Sequence, residues 1–236
     1  MIISHKHKFI FIKTAKTAGT SIEVFLAKHC GPGDVVTPVL PAVEGHVARN
    51  YKAFFNPLPE ILAGANRPRT AWNDLVQRNK FFNHMPALLV QQRIPSRIWR
   101  TYFKFAVERN PWDKALSHYH MRAHRAGALS LDQYFKIAKF PLNFQRYTDR
   151  FGKKIIVDRL LRYENLTAEL AEVFAQLNIP FDGSLGVKAK SEYRTDRTPY
   201  QLVFNDEQRK MIEQVFAREI ELHGYRFEAD AAVSSR

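Results

Sequence analysis

The residues best placed to do chemistry form the hexapeptide Lys16-Thr17-Ala18-Gly19-Thr20-Ser21. It follows the apolar run Phe9-Ile10-Phe11-Ile12 and leads into a helical pattern with Ile22, Phe25 and Leu26 on one face. A strand, a tight loop and a helix N-terminus in that order make an anion site, because the first N–H groups of a helix have no partner within it and converge on whatever sits at that end. Gly19 allows close backbone approach, Lys16 adds positive charge, and the hydroxyls of Thr17, Thr20 and Ser21 are further donors. Thr20 with Glu23 three residues on also has the form of a capping box. Lysine precedes glycine here, whereas the nucleotide-hydrolysing loop GxxxxGK[ST] has the reverse order, so ATP or GTP hydrolysis is disfavoured.

A second junction repeats this logic. The run Tyr102-Phe103-Lys104-Phe105-Ala106-Val107 reads as a buried strand ending at Glu108-Arg109-Asn110-Pro111-Trp112. Pro111 presets φ for a helix start, and Trp112, Leu116 and Tyr119 recur at helical spacing. Arg109 stands at the strand's carboxyl end, where open α/β sheets bind ligands, and Ser117 lies eight residues on. Two anion-binding junctions imply a ligand with two separate phosphate-like groups.

Other titratable residues carry weaker signals. His120 and His124 share a helix face four residues apart, beside His118, but neither a HExxH glutamate nor a third ligand accompanies them, so no metal site is expected. His84 precedes a short helix. His46 lies in proline-punctuated sequence, and Glu164 falls in Leu161-Arg162-Tyr163-Glu164-Asn165-Leu166, where a catalytic acid and a loop anchor are both open readings.

The elements that must position these residues alternate between strand and helix. The first helix covers about residues 20 to 29, and Gly31-Pro32-Gly33 breaks it. Residues 31 to 80 form a long excursion, assigned to shaping an acceptor site. A short helix with a break near Pro95 precedes the second strand; after a helical stretch from Leu129, Lys154-Ile155-Ile156-Val157 opens a third strand candidate, and a helix follows from about Ala168 to Leu177. Lys188 to Tyr200 is basic and has no hydrophobic period: an exposed linker, or a loop that closes over an anionic ligand. Asn205 caps the last helix with Gln208 at the capping-box position; Met211, Ile212, Val215, Phe216 and Ile220 form its apolar stripe, and Gly224 ends it. The tail from Ala229 to Arg236 reads as disordered. This alternation is the signature of a parallel sheet covered on both faces, a single α/β domain over residues 1 to 228.

The 236 residues can bury a substantial core, and no run of 18 or more apolar residues occurs. A soluble, unexported, cytoplasmic protein is expected. The single Cys30 excludes an internal disulfide and suits a reducing compartment. The 36 Lys and Arg against 23 Asp and Glu give a net charge of +13, which points to polyanionic ligands or anionic surfaces. Its spread along the chain favours pockets over a nucleic-acid arm.

Taken together, Phe11-Ile12-Lys13-Thr14-Ala15-Lys16-Thr17-Ala18-Gly19-Thr20-Ser21 and Phe105-Ala106-Val107-Glu108-Arg109-Asn110-Pro111-Trp112-Asp113-Lys114-Ala115-Leu116-Ser117 resemble the two cofactor signatures of sulfotransferases that use 3′-phosphoadenosine 5′-phosphosulfate, in the branch containing carbohydrate sulfotransferases. The stretch 161 to 166 and His223-Gly224-Tyr225 are similar to the family as well. Many relatives have proline where this chain has Ala15 and a second glycine where it has Ala18. The resemblance implies a three-layer P-loop-like fold and a metal-independent reaction. It implies that Lys16 and the N–H groups of Thr17, Ala18, Gly19, Thr20 and Ser21 hold the 5′-phosphosulfate, and that Arg109 and Ser117 hold the 3′-phosphate. Lys16 would neutralise charge on the leaving oxygen. A histidine serves as base in related carbohydrate enzymes, and His84 is placed similarly, with His46 and Glu164 in reserve. The implied acceptor is a saccharide or glycolipid, with an acidic one favoured by the net charge and peripheral contact with an anionic membrane in keeping; the implied setting is a bacterial cytoplasm. The competing class is a basic nucleic-acid or polyanion-binding protein without chemistry. A small-molecule kinase is disfavoured by the loop order and by the lack of a metal-binding aspartate.

Overall fold

The computed structural model describes residues 1–137, 139–186, 196 and 198–228. These divide into two units, the described residues within 1–108 and 145–189 and those within 109–144 and 190–236. Of the basic stretch 188 to 200, residues 188–195 and 197 lie outside the described residues, as does the tail from 229.

The first unit is an α/β layer structure around one sheet. Its elements are β1 (Ile2–Ser4), β2 (Phe9–Ile12), α1 (Gly19–His29), β3 (Val35–Val36), α2 (Leu58–Leu62), α3 (Pro68–Val76), α4 (Ala87–Arg93), α5 (Ser96–Thr101) and β4 (Phe103–Glu108). The strand order is β3-β1-β2-β4-β5, where β5 is Arg159–Arg162. β2 and β4 run parallel with Phe11 opposite Phe105, β4 and β5 run parallel with Glu108 opposite Arg162, and β1 is antiparallel to both β2 and β3.

The sheet is therefore mixed rather than all parallel. The cause is the chain between Ser4 and Phe9: a four-residue connection is too short for a crossover and can only return antiparallel. It carries none of the usual turn residues, and Lys8 itself adopts the left-handed conformation at φ 54°. The third parallel strand, β5 at the sheet edge, also lies later than the apolar run suggests. Ile155 only bridges Thr148, and ladder pairing begins at Arg159.

Strand alternation sends Phe9, Phe11, Phe105 and Val107 to one face of the sheet. There they pack with Ile22, Phe25 and Leu26 of α1 and with Leu170, Val173 and Phe174 of α9 (Leu166–Gln176), which follows a 3-10 turn at Tyr163–Asn165. Phe25 stacks on Phe174 with centroids 5.1 Å apart. Ile10, Ile12 and Ala106, on the opposite parity, are equally buried. Trp99 of α5 meets that second face, with the Lys104 ammonium 5.3 Å from its ring centroid. Cys30 is half-buried, and burial pushes its thiol up to about 12, which makes it unreactive.

The second unit holds α6 (Pro111–Ala126), α7 (Leu131–Ile137), α10 (Tyr200–Val203), α11 (Asp206–Val215) and α12 (Ala217–His223); the short α8 (Phe144–Tyr147) straddles the division. Its core joins Trp112 and Leu116 to Tyr134, Phe135, Phe204, Ile212 and Phe216. Asn205 and Gln208 form the capping box that their spacing predicts, and Gly224 ends the segment in the left-handed conformation at φ 63°. The expected single last helix is interrupted at Phe216, and Met211 and Val215 fall on the exposed side. Ile212 and Phe216 fill the core there, with Ile220 packed half-buried against it, so the stripe is narrower than the apolar residues suggested. No described helix is long and apolar enough to cross a membrane.

Candidate active site

β2 and β4 end at the same edge of the sheet, and the loop from residue 13 to 18 leaves β2 there. Lys16 and Ala18 both take the left-handed conformation, at φ 64° and 57°, so two non-glycine residues carry the tight turn into α1. The first helical bond runs from the Ile22 N–H to the Ala18 carbonyl, and no side chain caps the helix. The capping box expected from Thr20 and Glu23 does not form. Helix starts one residue before Thr20, which places its hydroxyl inside the first turn, and Glu23 is engaged elsewhere.

Glu23 is fully buried. The Lys13 ammonium and the Met1 amino group each donate to its carboxylate at 2.6 Å, and the Thr37 hydroxyl donates at 2.9 Å. Burial alone would raise its carboxyl, but the two cations outweigh that and hold it below the usual range. Lys13 is thereby neutralised inside the protein, whereas Lys16, three residues on, is only half-buried. Gly19 serves this packing: a Cβ there would lie 2.9 Å from Lys13 Cγ and 3.1 Å from the Thr14 carbonyl oxygen. The Thr14 hydroxyl donates to the Val107 carbonyl at 2.5 Å and lies 2.7 Å from the Thr17 hydroxyl. With the Thr14 proton committed, Thr17 is the donor of that second bond, and the loop is stitched to the end of β4.

His84, far away in the chain, arrives at this loop. Its Nδ1 is 3.2 Å from the Lys13 carbonyl oxygen. A carbonyl only accepts, so Nδ1 carries the proton and Nε2 keeps the lone pair. The residue holds a left-handed backbone at φ 59°, and its carbonyl accepts from the Arg146 guanidinium. Burial, with Lys13 and Arg146 adding positive charge, pushes the imidazole down to about 3, so it is neutral. Glu108, fully buried at the end of β4, accepts from the Tyr147 hydroxyl at 2.9 Å. His46 is half-buried and burial lowers its pKa; Glu164 is exposed on the 3-10 turn.

Lys13, Glu108 and Arg146 were not singled out from the sequence, and Glu23 was read there only as a capping-box partner of Thr20. Two of them had a signal, since Lys13 and Glu108 are charges that directly follow apolar runs of the sequence.

The second junction is described within its own unit. Asn110 caps α6, its side chain accepting from the N–H groups of Trp112 and Asp113. Arg109 is buried and ion-pairs with Asp113, with nitrogens 2.6 and 2.7 Å from one carboxylate oxygen. Ser117, half-buried, is the next residue on that face at the i, i+4 spacing. Asp113 thus stands between Arg109 and Ser117. His118 bonds the Tyr134 hydroxyl at 2.9 Å.

No protein-family model matches the chain. A protein of Archaeoglobus fulgidus, described only as uncharacterized, is 33% identical over 117 residues, which span 47% of this chain and 98% of the archaeal one. The two chains belong to one family. The archaeal protein's description assigns no activity, so the functional reading rests on the residues themselves.

Proposed function

We propose that this chain is a sulfotransferase of P-loop-like fold that moves a sulfuryl group from 3′-phosphoadenosine 5′-phosphosulfate to a hydroxyl or amine of a saccharide or glycolipid, working in the cytoplasm. The observation that carries the reading is the meeting of His84 with the strand-to-helix loop that contains Lys16, with the imidazole neutral and its Nδ1 proton held by the Lys13 carbonyl. The lone pair at Nε2 beside an anion-binding loop is placed to take the proton of an acceptor hydroxyl, and an imidazole held down to about 3 needs a bound anion's negative charge to regain the basicity for it. The donor set suits the co-substrate. An uncapped helix start and a half-buried lysine match the phosphosulfate end, and a buried arginine two turns from a serine matches the 3′-phosphate.

In this mechanism the acceptor oxygen attacks sulfur as the bond from sulfur to the bridging phosphate oxygen breaks. His84 Nε2 receives the acceptor proton, and Lys16 with the first N–H groups of α1 stabilises the charge left on that oxygen. The departing species is adenosine 3′,5′-bisphosphate. Its negative charge would oppose the field of Lys13 and Arg146 and raise the basicity of His84. Arg109 would exchange Asp113 for the 3′-phosphate.

Calorimetric titration with adenosine 3′,5′-bisphosphate tests this. Lys16→Ala and Arg109→Ala should each weaken binding about tenfold or more, a loss of about 1.4 kcal/mol. His84→Ala should keep binding but lose turnover by roughly a hundredfold. Absent binding, or equal binding of ATP, would reject the assignment in favour of a polyanion-binding protein.

A further inference from the structure

The excursion between α1 and α4 has its polarity inverted. Between residues 50 and 80 the only carboxylates are Glu60 and Asp74, and both are buried on Arg93. Its guanidinium donates to Glu60 at 2.5 and 2.8 Å, to Asp74 at 2.8 Å and to the carbonyls of Asn79 and Lys80 at 2.9 and 3.0 Å. The apolar side chains point the other way: Leu58 and Leu62, one turn apart on α2, are 52% and 83% exposed, and Trp72 and Val76, one turn apart on α3, are 51% and 78% exposed. Because Glu60 and Asp74 converge on one guanidinium, the two helices turn their opposite, apolar sides outward.

The surrounding charge is of one sign. With both carboxylates consumed inside, the exposed ionic groups of this stretch are Lys52, Arg67, Arg69 and Arg78. Arg78 lies over the exposed Phe54 ring, 4.4 Å from its centroid. Exposed aliphatic and indole groups on a stretch whose exposed ionic groups are all cations are complementary to a lipid bilayer with anionic headgroups, where the apolar groups enter the acyl boundary and the cations meet phosphate. A second copy would bring like charge against like. A nucleic acid would leave the leucines and valine without an apolar partner. We propose that α2 and α3 form a membrane-docking surface specific for anionic lipid, independent of the activity at the loop.

The test is co-sedimentation of the full chain with vesicles of phosphatidylcholine alone and of phosphatidylcholine mixed with phosphatidylglycerol, at low and physiological salt, with Trp72 fluorescence recorded in parallel. Binding to the mixed vesicles with a blue shift is expected. The exposed-site variants Leu62→Glu/Val76→Glu and Arg67→Glu/Arg69→Glu should each weaken it about tenfold or more while the circular dichroism spectrum stays unchanged. Failure to bind mixed vesicles overturns the proposal. So does binding that neither double variant alters, which would mean diffuse attraction by the net charge. Self-association in the absence of lipid that Leu62→Glu/Val76→Glu abolishes would assign the face to a second copy instead.

Discussion

His84 carries the largest consequence of any single residue. Its imidazole titrates at about 3 in the folded protein and near 6.5 when the chain is unfolded. Between those values the unfolded chain binds the extra proton. The stabilising effect of a neutral His84 is therefore complete above the unfolded pKa and is lost as pH falls toward the folded one. Unfolding by urea at about pH 7 and about pH 5 should show a drop of a few kcal/mol, to which His29 and His46, both lowered by burial, add in the same direction. His84→Asn should flatten this dependence, since asparagine tolerates the left-handed backbone and can donate to the Lys13 carbonyl. An unaltered slope in that variant would mean that other groups set the acid sensitivity. The sequence placed a histidine before a short helix; it could not place that histidine on a loop some seventy residues earlier, because only tertiary packing brings the two together.

At the scale of elements, helix starts were readable where side chain and backbone interact locally. The start that Pro111 announces is capped by Asn110, and Asn205 caps the helix that its spacing from Gln208 announces. Thr20 and Glu23 follow the same pattern and form no cap, because Glu23 has a stronger use: fully buried, it neutralises Lys13 and the Met1 amino group. A local motif yields when a buried charge needs a partner, since an unpaired buried ion costs several kcal/mol and a cap contributes about one. The excursion after α1 shows the converse. Its prolines announced loop, yet Arg93 gathers α2 and α3 into a defined structure. Arg93→Ala would strand two buried carboxylates and should destabilise by about 3–5 kcal/mol, with proteolytic cleavage appearing first within residues 50 to 80. Cleavage spread evenly over the chain would show that Arg93 is not the local anchor.

For the molecule as a whole, the net charge of +13 is a self-repulsion that dissolved salt screens. The midpoint of thermal unfolding should rise by about 2–4 °C for each kcal/mol so recovered between low and physiological ionic strength. A falling midpoint would instead show that surface ion pairs such as Arg159 with Glu172 outweigh the repulsion. By itself the sequence determined the α/β class, the two strand-to-helix junctions and the helix boundaries set by Pro111, Asn205 and Gly224. All of these follow from interactions spanning a few residues, which periodicity and capping chemistry record directly. Only the tertiary structure decided that the sheet is mixed, that β5 begins at Arg159, that Lys13 rather than Lys16 is consumed by Glu23, and that residues 50 to 80 bury their two carboxylates and expose their leucines. Each of those depends on partners distant in the chain, whose pairing follows from burial and charge neutralisation in three dimensions and leaves no local periodicity to read.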